Sequence, residues 1–190
     1  QDVHKELKKG YLQYVRGAKG HEGRPIVIFR ARHFFPKHNA DEATVSKRIS
    51  YSSTSTMDFT RTIMFVMNLA LKHLEEKTKG GADGIILFMD MRDASIMKNF
   101  DKTMFNKIVS NFRSHFPETI HRIFVLNSSI ALKASSVIVT SALGKRTLKK
   151  VSYGTTTGSS KDCESTMSEI FDTIPKKVSY IFFSLAAKSI

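Results

Sequence analysis

His121–Lys150 reads HRIFVLNSSIALKASSVIVTSALGKRTLKK. Its Ile123–Leu126 run is aliphatic and aromatic throughout, the composition of a strand covered on both faces in the middle of a sheet. Ser128 and Ser129 offer hydroxyls to the first amides of a following helix. That helix carries Val137, Ile138, Val139, Ala142 and Leu143 almost without a polar break and stops at Gly144. A helix so apolar is either deeply buried or covers something apolar that is not protein. Lys145, Arg146, Lys149 and Lys150 follow at once. An oily helix ending in cations fits a lid over a lipid, facing an anionic surface.

The flanking chain supplies the frame for this stretch. After Arg24-Pro25, Ile26–Phe29 reads as a first strand. Residues 3–15 read as a short helix interrupted at Gly10 or as an extended lead-in, with Gly17, Gly20 and Gly23 making a loose turn. Arg30–Arg48 is polar and broken by Pro36, a loop with a short helix at Asp41–Lys47. Ser55-Thr56-Met57-Asp58 has the spacing of a capping box. Beyond it Phe59, Ile63, Val66, Met67, Ala70, Leu71 and Leu74 keep helical spacing until Lys77, Lys79, Gly80 and Gly81. Ile85–Met89 is a second buried strand. Phe100–Phe116 is a helix with Phe100, Met104, Phe105, Ile108, Val109 and Phe112 on one side, ended by Pro117. Val151–Tyr153 is a short strand and Thr155–Lys161 a Gly/Ser/Thr loop. Asp162–Ile174 is a last helix with Met167, Ile170, Phe171 and Ile174 on one face, and the apolar tail Val178–Leu185 closes as a strand or a docking helix. Alternating strands and crossover-length helices predict an α/β fold: a mainly parallel sheet floor with surrounding helices and, over an apolar cavity, a gate helix. No repeat or linker divides the chain, so residues 1–190 read as a single domain.

A chain of 190 residues can bury a real core. Its 41% hydrophobic and 25% charged residues place it among folded chains. Thirty Lys and Arg against 17 Asp and Glu give +13, which favours nucleic acid, anionic membrane or acidic protein as partner. Aromatics do not interleave with the basic cluster and no nucleic-acid motif is present, so no nucleic-acid partner is expected. Cys163 is the only cysteine, which excludes a disulfide or CxxC site and points to a reducing compartment. The longest apolar run is too short to span a bilayer. The charged start at Gln1 shows no signal peptide, and the missing initiator Met points to a piece of a longer protein. The expected setting is cytoplasmic, with peripheral membrane contact.

The common signatures of α/β enzymes fail: there is no GxGxxG after a strand, no GxxxxGK[ST], no GxSxG and no HExxH. Seven scattered histidines lack ligand spacing, so neither a metal nor a cofactor is expected. Asp90 and Asp93 follow a buried strand, where parallel sheets carry catalytic acids. They serve equally to cap the next turn or to pair with Arg92. Cys163 has no readable base beside it. Eight methionines and 14 phenylalanines suit a plain core or an adaptable apolar cavity alike.

Several segments together resemble the CRAL-TRIO lipid-binding domain family. Gly20–Val27 (GHEGRPIV) resembles that family's "D-x-E-G-R-P-V" lead-in to its first strand, and Gly84–Asp90 (GIILFMD) its second strand. His115–Glu118 followed by Ile123–Asn127 resembles "Y-P-E-r…iyiiNaP", Leu143–Val151 resembles "fL-d-p-x-T-x-x-K-i", and Met167–Pro175 the closing "L…i…lP". The likeness covers roughly residues 5–178, with five motifs in order. It implies an α/β cage over one lipid, with Ser129–Leu143 as the gate helix. Ile85, Leu87, Met89, Ile123, Ile138, Ala142 and Leu143 would line the cavity. In members resembling phosphatidylinositol-transfer proteins, a glutamate, a threonine and a lysine hold the inositol phosphate; these match Glu118, Thr147 and Lys150. Lys145, Arg146 and Lys149 would face the membrane.

The departures narrow the implied ligand. Ile85 and Leu87 stand where choline-binding members place Ser and Thr, so a phosphatidylinositol-like phospholipid fits better than a choline lipid. Asn127-Ser128-Ser129 lacks the motif's proline, Lys176-Lys177-Val178 replaces the usual Gly-Gly, and the family's helical N-terminal lobe is absent. Binding, with or without transfer, at an anionic membrane surface is the expected function, and no enzyme activity is expected. The alternatives are a module that recruits a regulatory protein or small GTPase without moving lipid, and an enzyme using Asp90 and Asp93.

Overall fold

The computed structural model describes residues 3–36, 53–78, 84–116, 118–128, 145–156, 161–176 and 178. Its centre is a five-stranded sheet in the order β1 (Leu12–Lys19), β2 (Pro25–Arg30), β3 (Ile85–Asp90), β4 (Ile120–Leu126), β5 (Val151–Gly154). β2 to β5 run parallel, and β1 pairs antiparallel with β2. β2 and β3 are unbroken apolar runs because both of their faces are covered. α1 (Val3–Lys8) precedes β1, and α2 (Thr56–Thr78) crosses from β2 to β3. The short α3 (Ile96–Asn99) and α4 (Lys102–His115) lead into β4; α5 (Lys145–Leu148) is one turn before β5, and α6 (Lys161–Thr173) follows it.

The helix starts are set by their caps. Ser55 Oγ accepts the Asp58 amide at 3.1 Å and donates to Asp58 Oδ2 at 2.5 Å, so α2 begins where the box-like spacing put it. Asp101 accepts the Met104 amide at 2.7 Å, which starts α4 at Lys102 rather than at Phe100.

The largest departure from the sequence reading is β1. Residues expected as a lead-in and a loose glycine turn form an eight-residue edge strand. Tyr14 pairs with Val27 and Leu12 with Phe29, and the register shifts between Tyr14 and Lys19, where Gly17 takes φ +83°. The glycine lets the edge strand bulge instead of ending it.

The two faces of the sheet hold two cores. On one, Val27 and Ile85 pack with Tyr11, Leu12 and Phe34, with Phe59, Val66, Met67 and Ala70 of α2, and with Met104 of α4 and Phe116. Tyr11, Phe29, Phe34 and Phe59 meet as tilted and edge-on rings, 4.4 Å apart at the closest pair. On the other, Ile26, Ile28, Ile86, Phe88, Phe124 and Leu126 pack with Ile170 and Ile174 at the end of α6. Each fully buried side chain of this kind contributes about 1.5–3 kcal/mol. α6 is pinned to β4 and β5: Glu169 takes an ion pair from Arg122 and a hydrogen bond from Ser152 Oγ at 2.6 Å. At Gly154 a Cβ would collide with the Thr166 side chain, so only glycine lets the helix lie this close.

A buried polar knot joins α1 to the sheet. Glu6 Oε1 pairs with Lys9 at 2.6 Å, while Oε2 accepts the Tyr11 hydroxyl and Thr54 Oγ1, each at 3.0 Å. Burial, followed by the neighbouring Glu6 charge, holds the Tyr11 hydroxyl well above the usual tyrosine range, against an opposing hydrogen bond from Thr62.

Candidate functional site

The strand register lines up two rows of side chains on the face covered by α2 and α4. The first is Tyr14, Val27, Leu87, Ile123, Val151; the second is Leu12, Phe29, Met89, Val125, Tyr153. Burial falls along the second row. Leu12 is buried, Phe29, Met89 and Val125 are half-buried, and Tyr153 is 45% exposed. The helices therefore cover the β1–β2 side of this face more fully than the β4–β5 side. What is left over β3 to β5 is an apolar floor of Leu87, Met89, Val125, Val151 and Tyr153.

Of the residues expected to line a cavity, Ile85 is fully buried beneath α2 and α4 in the first core. Ile123 is buried, whereas Leu87 and Met89 are half-buried. Ile138, Ala142, Leu143 and the expected helix Ser129–Leu143 lie outside the described residues.

At the amino-terminal edge of β4 and β5, three charged side chains converge. Glu118 sits just before β4 with φ +57°, a left-handed backbone that costs energy for any residue but glycine. Its Oε1 lies 3.4 Å from Arg146 and its Oε2 3.5 Å from Lys150 Nζ. Lys150 Nζ also donates to the Ile120 carbonyl at 2.6 Å, which fixes the ammonium over the start of β4. The one-turn helix α5 sets this up, because the Lys150 amide donates to the Thr147 carbonyl at 3.0 Å and turns the chain into β5. Thr147 is half-buried, and its side chain has no partner among the described residues. Gly84 supports the same corner: it takes φ +126°, and a Cβ there would lie 2.6 Å from the Thr119 carbonyl oxygen.

Both Glu118 ion pairs are longer than a tight charge-assisted hydrogen bond, and one carboxylate faces two cations. The corner keeps a net positive charge, extended by exposed Lys145 and Lys149 on the same turn. That charge favours an anionic group over a cationic one. Glu118 thus shares one corner with Thr147 and Lys150, which belong to a turn much later in the sequence. Arg146, expected only to face a membrane, joins it through Glu118.

The carboxyl-terminal edge is occupied differently. Asn127, at φ +58°, donates through Nδ2 to Asp90 Oδ1 at 3.2 Å and to Thr156 Oγ1 at 3.0 Å, while its Oδ1 accepts the Thr156 amide at 2.9 Å. It ties the ends of β3, β4 and β5 together. Asp90 also accepts the Arg92 amide at 3.1 Å, and Asp93 faces Arg32 at 3.8 Å. Asp90 thus caps the turn, as one reading of the sequence had it, while Asp93 faces Arg32 and not Arg92. Burial lowers the Arg30 guanidinium here, opposed by Asp90, and burial with Arg32 and Arg30 holds His33 below the usual histidine range. Neither Asn127 nor the row partners Val125, Val151 and Tyr153 was singled out for this role from sequence. The two-residue alternation from Ile123 would have found Val125. Among the described residues no cluster of His, Cys, Asp and Glu has the makings of a metal site, and no helix is long and apolar enough to cross a membrane.

Residues 8–178 match a family model described as the CRAL/TRIO domain. No curated protein sequence matches the chain. Among solved structures, the crystal structure of Sfh5 is similar, with a TM-score of 0.59 and 14% identity, covering 82% of this chain and 52% of that one. The chain thus spans about half the length of that neighbour, and a likeness at this identity speaks to the fold alone.

Proposed function

The chain belongs to the CRAL/TRIO domain family, and from that premise we propose that residues 1–190 form one domain that binds a single amphipathic lipid. Its chains lie on the β3–β5 floor and its phosphate meets the Glu118–Lys150 corner. The observation that carries this reading is the adjacency of the two surfaces. The half-buried row ending at Tyr153 and the cationic corner belong to the same two strands. Lys150 neutralises the phosphate, while Thr147 and Glu118 hydrogen-bond phosphate oxygens and ring hydroxyls, which favours a phosphatidylinositol-like headgroup. An aliphatic floor without serine or threonine on β3 argues against a choline lipid. Ser129–Leu143 serves as the gate, with Ile138, Ala142 and Leu143 against the chains.

No bond is made or broken. Each buried methylene contributes about 0.8 kcal/mol, so a two-chain lipid leaves a closed site slowly and transfer needs a trigger. Contact with an anionic, cytoplasm-facing membrane is that trigger: Lys145, Arg146 and Lys149 each add roughly 1 kcal/mol of attraction to such a surface. Native mass spectrometry of the purified protein, followed by lipid extraction, tests the reading. A stoichiometric phosphatidylinositol supports both floor and corner. A different apolar ligand keeps the floor and discards the headgroup assignment. An empty protein that takes up no lipid from vesicles sinks the proposal and favours a module that recruits a regulatory protein or small GTPase.

A further inference from the structure

A second concavity lies between α2 and α4 and shares no lining residue with the Lys150 corner. The first turn of α2 and the middle of α4 enclose a groove of about 430 Å³. Below it Ile63, Met64, Ile108 and Phe112 close the helix pair to a residual space of about 10 Å³, so the groove has a packed apolar base. Its walls carry Arg61 and Lys107, the hydroxyls of Thr56, Thr60 and Ser110, the Asn111 amide and the Met57 thioether. Among the described residues no carboxylate lines it. Among the described residues the Arg61, Lys107, Ser110 and Asn111 side chains have no hydrogen-bond or ion-pair partner.

Two cations and a set of hydroxyl and amide donors around a carboxylate-free hollow call for an anion with several acceptor oxygens. The nearest acid on α2, Asp58, is already committed to Ser55. α2 also begins at the groove, so the positive end of a 23-residue helix adds to the same potential. The volume falls within the range of small-molecule sites, roughly 300–1,000 Å³. We propose that the α2–α4 groove is a second ligand site that takes a phosphate group, carried by a soluble phosphorylated molecule or by a lipid headgroup. Arg61 and Lys107 grip the phosphate from opposite walls, and the hydroxyls and Asn111 take its remaining oxygens.

The test uses the full chain labelled with 15N. Inorganic phosphate is titrated at fixed ionic strength into the parent protein and into R61Q/K107Q, whose substituted side chains are both exposed. Lys150→Ala reports on the sheet-edge corner. The expected result is saturable shifts confined to the amides of Thr56–Arg61 and Lys107–Asn111, weakened at least tenfold in R61Q/K107Q and unchanged in Lys150→Ala. In parallel, binding to phosphatidylcholine vesicles doped with a monophosphorylated phosphoinositide is compared for the same proteins. If free phosphate does not saturate but R61Q/K107Q weakens vesicle binding tenfold, the site holds and its ligand is a headgroup. Three outcomes overturn it: unsaturable shifts spread over all surface lysines together with unchanged vesicle binding by R61Q/K107Q, no difference between the parent and R61Q/K107Q in either assay, or an acidic peptide shifting these amides where phosphate does not.

Discussion

Replacing Lys150 with alanine separates a headgroup role from a structural one. Lys150 makes one short hydrogen bond, to the Ile120 carbonyl at 2.6 Å, and one loose ion pair, to Glu118 at 3.5 Å. Glu118 is 60% exposed, so solvent screens that pair and it adds little stability. The carbonyl contact is partly exposed as well, and its loss costs about 1 kcal/mol. For a chain of this size that is a fall in Tm of about 2–4 °C. The bound state loses far more: a lysine–phosphate contact is worth roughly 1.5–3 kcal/mol, about a 10- to 100-fold loss of affinity at 1.4 kcal/mol per decade. Lys150→Ala is therefore expected to weaken uptake of phosphatidylinositol from vesicles by that factor, leave any residual uptake of diacylglycerol, which has no phosphate, unchanged, and barely move the melting curve. Glu118→Gln adds a test of sign. If the carboxylate accepts ring hydroxyls, the substitution lowers affinity for phosphatidylinositol but not for phosphatidic acid, which has no ring. If it only balances Arg146 and Lys150, affinity for both lipids rises. Equal losses for phosphatidylinositol and phosphate-free diacylglycerol in Lys150→Ala would refute the headgroup assignment.

Gly154→Ala forces a Cβ into Thr166 and is expected to destabilise by about 1–3 kcal/mol, read as a lower urea midpoint; an unchanged midpoint would mean that α6 shifts freely over β5. Asn127→Asp sets a second carboxylate where an amide now donates to Asp90 at 3.2 Å, and is expected to destabilise more than Asn127→Ala in parallel urea melts above pH 6 and to recover as the carboxylates protonate. Tyr11 is neutral in the folded chain with its ionisation raised, whereas in the unfolded chain it ionises near pH 10. Its contribution is thus complete below pH 10 and declines above it by about 1.4 kcal/mol per pH unit; Tyr11→Phe should flatten that alkaline decline, and a slope unchanged in urea melts from pH 9 to 11 would assign it to other groups.

The central strands were legible because parallel strands covered on both faces leave unbroken apolar runs, as at Ile26–Phe29 and Ile85–Met89. α2 and α6 were legible because one buried stripe repeats at helical spacing. β1 was not, because an edge strand needs only one apolar side. In Leu12–Lys19 the polar residues and the glycine of the bulge carry the same composition as a turn, and only pairing with β2 distinguishes the two. The site splits the same way. Glu118, Thr147 and Lys150 came from the order of motifs and not from local chemistry, since a glutamate before a strand and a lysine after a one-turn helix are ordinary in themselves. Their meeting, and Arg146 joining them, depends on β4 and β5 being neighbours. Ile85 and Leu87 lie two residues apart on one face and differ only in what α2 and α4 cover. No sequence pattern along β3 encodes that difference.

The placement of both candidate surfaces follows from how β4 and β5 are held. On the far face Arg122, Ser152 and Glu169 tie both strands to α6, and Gly154 lets that helix sit directly on β5. At the carboxyl edge Asn127 closes the strand ends onto Asp90 and Thr156. These contacts fix the near face as a rigid plane, with its apolar rows set by register and its cationic corner by the Thr147–Lys150 turn. A ligand that satisfies both must carry its charge at one end and its apolar part toward Tyr153. The distance between Lys150 and Tyr153 is three residues of strand, about 10 Å. An apolar part longer than that has to continue beyond the floor, under cover that the five strands do not provide. The strand pair can therefore orient an amphipathic lipid but cannot by itself enclose one. In this reading, selection by headgroup belongs to the sheet, and retention of the chains belongs to whatever closes over it.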